Sequence, residues 1–290
     1  MLRAIEKLLK MWYIQVVKPK DRQGGKNMHA EVSAVKVNGF SMGFFRFGEG
    51  STPFVMLPGI YTKPITILAP LVAEAYAAFA EQFTVYVPDR RSDLPNGYTI
   101  EDSADDTAAV LDELGIKNAC VFGVSMGGMT AQALSAKRPD LVGKLVLSST
   151  ASRISPQTRQ NISEMIALAE SGDIDALLLR FAKSVYTPSF FEKYKEPILA
   201  SLQGSSQADI DRFVTLSKGI LNFDIYDKLG RISCPTLVIG AGKDEMLGVQ
   251  ASKDIAEKAG AELYIYENYG HAAYDEAPDY KDRLLEFFTR

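Results

Sequence analysis

The stretch from Asn118 to Leu134 leaves this chain the fewest choices. A short apolar run, Ala119-Cys120-Val121-Phe122, leads into Gly123-Val124-Ser125-Met126-Gly127-Gly128, and small helix-forming residues continue to Leu134. The order reads strand, sharp turn, helix, with G-x-S-x-G at the turn. That pattern holds a serine on a strained strand-to-helix elbow with its hydroxyl exposed. Side chains at positions 123 and 127 would collide with the neighbouring strand or helix. The helix that follows points its N–H groups and its positive end at the turn, which suits a reaction that builds negative charge on oxygen. Three fixed positions in five arise by chance in about one chain in ten of this length, given average Gly and Ser usage near 7%. The flanking strand and helix therefore carry the weight.

A serine hydroxyl is a weak nucleophile until a base takes its proton, and histidine is the usual base. The chain has two histidines. His29 precedes the expected sheet. His271 follows the last expected strand, at the C-terminal edge where catalytic groups of open α/β sheets gather. By elimination His271 is the base. A carboxylate must orient the imidazole. Asp244 follows the apolar run Thr236-Leu237-Val238-Ile239 and gives the chain order Ser, Asp, His; Glu245 is its adjacent competitor. The loop at 148–152 offers no carboxylate. An oxyanion needs two preorganised donors. One is the Met126 N–H. For the other, Pro58 has no N–H, which leaves Ile60, with Gly59 letting the backbone approach.

Strands and helices alternate from residue 53 to 150, the signature of a parallel sheet covered on both faces. A hairpin with Asn38-Gly39 at its turn precedes them. Residues 64–82 read as one Ala-rich helix, and Thr99 to Asp102 as a capping box. From 153 to 221 only helical stripes appear, and alternation then resumes. The expected organisation is an N-terminal amphipathic helix and linker at 1–27, a core made of 28–152 and 226–290, and a helical cap inserted at 153–225. Leu2, Ile5, Leu9, Trp12 and Val16 give the first helix its apolar stripe. It docks on its own domain or a second copy, or else lies on a membrane surface.

Net charge is −4, with the basic excess confined to residues 1–26. This argues against nucleic acid as a partner. No run reaches about 20 apolar residues, so no membrane-spanning helix is expected. Cys120 and Cys234 are separated by another strand in the expected sheet order. At about 4.8 Å per strand they are too far apart to pair, and free core thiols favour the cytoplasm. Gly240-Ala241-Gly242-Lys243 lacks the outer residues of a phosphate loop. No cysteine–histidine cluster has zinc spacing, and no cofactor is expected. Asn161-Ile162-Ser163 matches a glycosylation pattern only.

Taken together, Leu57-Pro58-Gly59, Asp89-Arg90-Arg91, the elbow, Cys234 to Gly240 leading to Asp244, and Gly270-His271 resemble the α/β-hydrolases, in particular the capped esterase and haloperoxidase-like group. The resemblance covers residues 30–290. It implies an eight-stranded, mostly parallel sheet with its second strand antiparallel, helices on both faces and a helical cap over the serine. Two positions depart from the pattern: Pro58 stands where His is common, and Ser92 where Gly is. The expected activity is hydrolysis of a small or medium carboxylic ester through an acyl-enzyme. Carbon–carbon bond hydrolysis, acyl transfer or ligand sensing on the same triad are the alternatives. Phe181, Tyr186, Phe190 and Phe213 are the expected substrate-binding residues. About half of the cap's aromatic residues should pack helices together instead. The expected partners are a small ester or acyl substrate, with a homodimer or peripheral membrane contact through residues 1–17.

Overall fold

The computed structural model describes residues 28–290, so the helix and linker expected over 1–27 lie outside them. Eight strands form one sheet: β1 (Glu31–Val37), β2 (Phe40–Phe47), β3 (Thr52–Leu57), β4 (Phe83–Arg91), β5 (Ala119–Val124), β6 (Val142–Ser148), β7 (Thr236–Ala241) and β8 (Glu262–Tyr266). Their order across the sheet is β1-β2-β4-β3-β5-β6-β7-β8. β2 is antiparallel to both neighbours, and the pairs from β3 to β8 are parallel. The β1–β2 turn is the two-residue Asn38-Gly39, both at positive φ, because its twist must match that of the strands. Cys120 and Cys234 are free thiols on either side of β6.

The helices are α1 (Ala69–Ala75), α2 (Ile100–Glu113), α3 (Met126–Lys137), α4 (Pro156–Ser171), α5 (Ile174–Val185), α6 (Pro188–Leu202), α7 (Gln207–Leu221), α8 (Val249–Ala259), the short α9 (Ala273–Glu276) and α10 (Tyr280–Thr289). α2, α3 and α8 cover one face of the sheet, and α1 and α10 the other. The central strands are buried on both sides. This explains the near-continuous apolar runs of β3 and β5, where alternation would mark a half-exposed strand. Thr99 and Asp102 form the reciprocal capping box of α2, and Gly115, at φ 67°, follows its end.

One expected element differs. Residues 64–82 are not a single helix: a 3₁₀ turn at Ile65–Leu68, α1, and a second 3₁₀ turn at Ala77–Phe79 follow one another. Composition reported helix propensity there, but tertiary contacts set the path. Pro70 opens α1, Tyr76 and Phe79 turn inward and pack on each other, and Phe79 packs with Phe54 and Phe83. α4 to α7 lie between β6 and β7, and Ser155, Asp173 and Ser206 cap α4, α5 and α7. α6 is kinked at Tyr194, three residues before Pro197, where the missing N–H and the ring disrupt the helix.

Candidate active site

β5 ends in the elbow. Ser125 has φ 54° and ψ −123°, a conformation that a side chain pays for and that persists only when its surroundings over-determine it. The surroundings are specific. Ser125 N–H donates to Ser148 O (3.0 Å). Ser125 O accepts from the Thr150 hydroxyl (2.8 Å) and from the Gly128 and Met129 N–H groups. The glycines are steric necessities: a Cβ on Gly127 would lie 2.0 Å from Leu57 O, and one on Gly123 2.6 Å from Gly127 O. Gly128 faces Thr150, whose side chain a Cβ there would meet at 2.6 Å. Thr150 was not legible as part of the site, because its role is to brace a backbone carbonyl.

His271 and Asp244 come from the loops after β8 and β7. His271 Nδ1 and Asp244 Oδ2 are 2.9 Å apart, with the two side chains 4% and 2% exposed. Asp244 Oδ1 accepts the N–H groups of Met246 and Leu247, each at 2.9 Å. Burial alone would raise the Asp244 carboxyl. The His271 imidazole and these amides outweigh it and hold the carboxyl below its usual value. The carboxylate is thus aimed at Nδ1, which leaves Nε2 as the ring nitrogen free for chemistry. Glu245 contributes only its backbone: Glu245 O and Met246 O accept from the Asn161 side chain of α4. Asn161 is itself buried, so the glycosylation pattern there describes an internal residue.

Met126 is the first residue of α3, where N–H groups have no partner in the helix's own ladder. Among the described residues no protein acceptor takes the Ile60 N–H. The aim of that N–H is set by Arg90. The buried Arg90 guanidinium donates to Gly59 O (3.0 Å) and to Pro58 O. In a planar trans peptide the C=O and N–H point opposite ways, so holding Gly59 O turns the Ile60 N–H away from Arg90. Gly59 has no room for a side chain without crowding: a Cβ there would sit 3.3 Å from Ser125 Cβ. Burial pulls the Arg90 pKa down to about 10, with Asp89 opposing. Asp89 in turn accepts from Ile65 N–H, Arg90 N–H and Arg212 of α7. The Asp89-Arg90 pair was visible as a motif, but its grip on residues 58–60 was not.

Ser125, Ile60 and His271 line one cavity of about 280 Å³, lying between the sheet edge and the inner faces of α4 to α7. Among the expected substrate-binding residues, Phe181, Tyr186 and Phe213 are in its wall. Phe190 is not: it stacks on Tyr186 (5.1 Å between centroids) and packs on Tyr194. Aromatic character alone could not separate it from Tyr186. Phe191 and Phe223 are core residues. The remaining wall is mainly aliphatic, with Met129, Ile162, Met165 and Ile220 among its members. The Lys281 and Asp275 side chains also reach it, and neither stood out in the sequence.

A sequence model described as alpha/beta hydrolase fold matches residues 52–278. The chain is 25% identical over 223 residues to 3-oxoadipate enol-lactonase 2 of Acinetobacter baylyi, across 75% of this chain and 81% of that protein. It is 30% identical over 195 residues to the 2-hydroxy-6-oxononadienedioate/2-hydroxy-6-oxononatrienedioate hydrolase of Klebsiella pneumoniae, across 63% of this chain and 66% of that one. The solved enol-lactonase from Burkholderia xenovorans LB400 matches with a TM-score of 0.77 at 23% identity, covering 89% of this chain and 100% of that one, a likeness of fold. Sheet order, elbow and family match agree, and the chain belongs to the alpha/beta hydrolase fold family.

Proposed function

We propose that the protein hydrolyses small or medium carboxylic esters through an acyl-enzyme. Ser125 attacks the carbonyl carbon while His271 Nε2 takes its proton. Asp244 holds the ring and stabilises the cation that forms. The oxyanion is bound by the Met126 and Ile60 amides, each such donor contributing on the order of 3 kcal/mol in the transition state. His271 then protonates the leaving alcohol. Water, activated by the same ring, releases the acid and returns the proton.

The observation that carries this reading is the buried His271–Asp244 pair opening onto the same cavity as a serine held at positive φ. The aliphatic and aromatic wall suits a hydrocarbon portion. The Acinetobacter relative is named for an enol-lactone, an internal ester, which is the same bond class. Steady-state turnover of short acyl esters tests the proposal. Ser125→Ala should lower kcat by about 10⁶ with the fold intact. Hydrolysis by that variant at the wild-type rate would overturn it.

A further inference from the structure

One part of the cavity wall is unlike the rest. Tyr76, at the end of α1, meets Tyr274, Asp275 and Lys281, and Tyr186 reaches in from the cap; all five line the cavity. Tyr186 Oη donates to Asp275 Oδ2 (3.0 Å). Lys281 Nζ donates to Tyr274 O (3.2 Å) and lies 5.5 Å from the centroid of the Tyr76 ring. Among the described residues these are the only hydrogen bonds of the two charged side chains, so Asp275 Oδ1 and two ammonium hydrogens remain unspent at the wall of a cavity. Burial pushes both groups toward neutrality, while each partly restores the charge of the other. Buried charges of this kind are costly, and they rarely persist without partners.

An ammonium and a carboxylate lining the same cavity sum to no net charge. An incoming carboxylate would face Asp275, and an incoming ammonium would face Lys281. A methyl group would desolvate both without offering either a bond. The group that satisfies both is neutral and carries a donor and an acceptor together, as a hydroxyl or a carboxamide does. We propose that Asp275 and Lys281 form a specificity subsite for a neutral hydroxyl or carboxamide on the substrate, away from the bond that is broken. The inference rests on the ester-hydrolase reading and adds the chemical class of the substrate.

The test is a matched set of esters, identical except for a terminal hydroxyl, carboxamide, methyl or carboxylate, carried on the acyl part in one series and on the alcohol part in another. Wild-type enzyme should favour the hydroxyl or carboxamide ester over the methyl and carboxylate esters by at least about tenfold in kcat/KM in one series, since a site built to bind a polar group rejects analogues lacking it. Lys281→Met should bring the hydroxyl-to-methyl ratio close to one. Asp275→Asn keeps an acceptor for Tyr186 but leaves Lys281 unbalanced, so the carboxylate ester should gain about tenfold relative to the hydroxyl ester. If Ser125→Ala hydrolyses the whole set like wild type, the ester-hydrolase reading itself fails. If Ser125→Ala is inactive but wild type shows no preference for the polar neutral esters, or Lys281→Met keeps that preference, this inference alone is overturned.

Discussion

Ser125 and Asp275 are each held in a state that a chain selected only for stability would avoid. The backbone at Ser125, with φ 54° and ψ −123°, costs on the order of 1–3 kcal/mol, and the Gly127, Gly128 and Thr150 contacts keep it in place. Asp275 is costly in another way. Burial, opposed by Lys281 and the Tyr186 hydroxyl and aided by Glu276, raises its carboxyl from the ordinary 3.8 to about 6. Between about pH 4 and pH 6 the folded chain keeps a proton that the unfolded chain releases. Stability therefore falls as pH rises through that window, and the full cost stands above it. Two pH units at about 1.4 kcal/mol each bound the cost near 3 kcal/mol. Asp275→Asn should melt several degrees above wild type at pH 7.5, with the gap closing by pH 4. An equal gap at both values would count against a strained carboxylate at 275. At this scale the candidate residues Ser125, Asp244 and His271 stood out in the sequence because each follows a recognisable strand, in the chain order expected where a nucleophile elbow is used. Asp275 and Lys281 were not. On a sequence they read as ordinary charges flanking the start of a surface helix, and only folding places them against a cavity.

The four inserted helices hold four of the five segments that build the site: those carrying Asp244, His271, Ile60 and Asp89. Asn161 of α4 holds the carbonyls beside Asp244. At the end of α5, Val185 O accepts from Ala272 N–H, while Thr187 donates twice to Glu276, gripping the His271 loop from both sides. Tyr61 and Lys63, just past Ile60, donate to Ser201 O at the end of α6. Arg212 of α7 bonds Asp89, the pair being largely buried. Removing one partner of such a pair costs about 3 kcal/mol or more, because the remaining charge is left uncompensated. Arg212→Met should therefore raise hydrogen exchange in α7 and in residues 58–65 together, since Asp89 also anchors Ile65 and, through the adjacent Arg90, the carbonyls of Pro58 and Gly59. Exchange rising in α7 alone would show that α7 and residues 58–65 are not coupled through Asp89. The helical stripes at 153–221 announced these helices, because amphipathic spacing survives any context. The side on which each would dock was not encoded that way. Phe190 and Tyr186 were expected alike as substrate-binding aromatic residues, yet only Tyr186 enters the wall. The broken run at 64–82 teaches the same point from the other direction: alanine favours helix, but buried Phe79 and Tyr76 decide where the chain must turn.

The whole molecule works as a frame that ends five strands at one rim. β3 delivers Ile60, β4 delivers Asp89 and Arg90, β5 delivers Ser125, and β7 and β8 deliver Asp244 and His271. The sheet was readable in advance because buried parallel strands leave long apolar runs separated by helical spacing. The β1–β2 hairpin was readable from its turn residues. Among the described residues no helix is long and apolar enough to cross a membrane, and the amphipathic helix over 1–17 with its linker to 27 remains a reading of the sequence alone. The proposed mechanism requires Ser125 to form a covalent acyl bond with His271 as its base. The most direct measurement is intact-protein mass after exposure to a serine-directed fluorophosphonate, followed by peptide mapping. One adduct per chain on Ser125 is predicted, absent in Ser125→Ala and formed at least a hundredfold more slowly in His271→Ala. An adduct on another residue, or labelling of Ser125 at an unchanged rate without the imidazole, would contradict it.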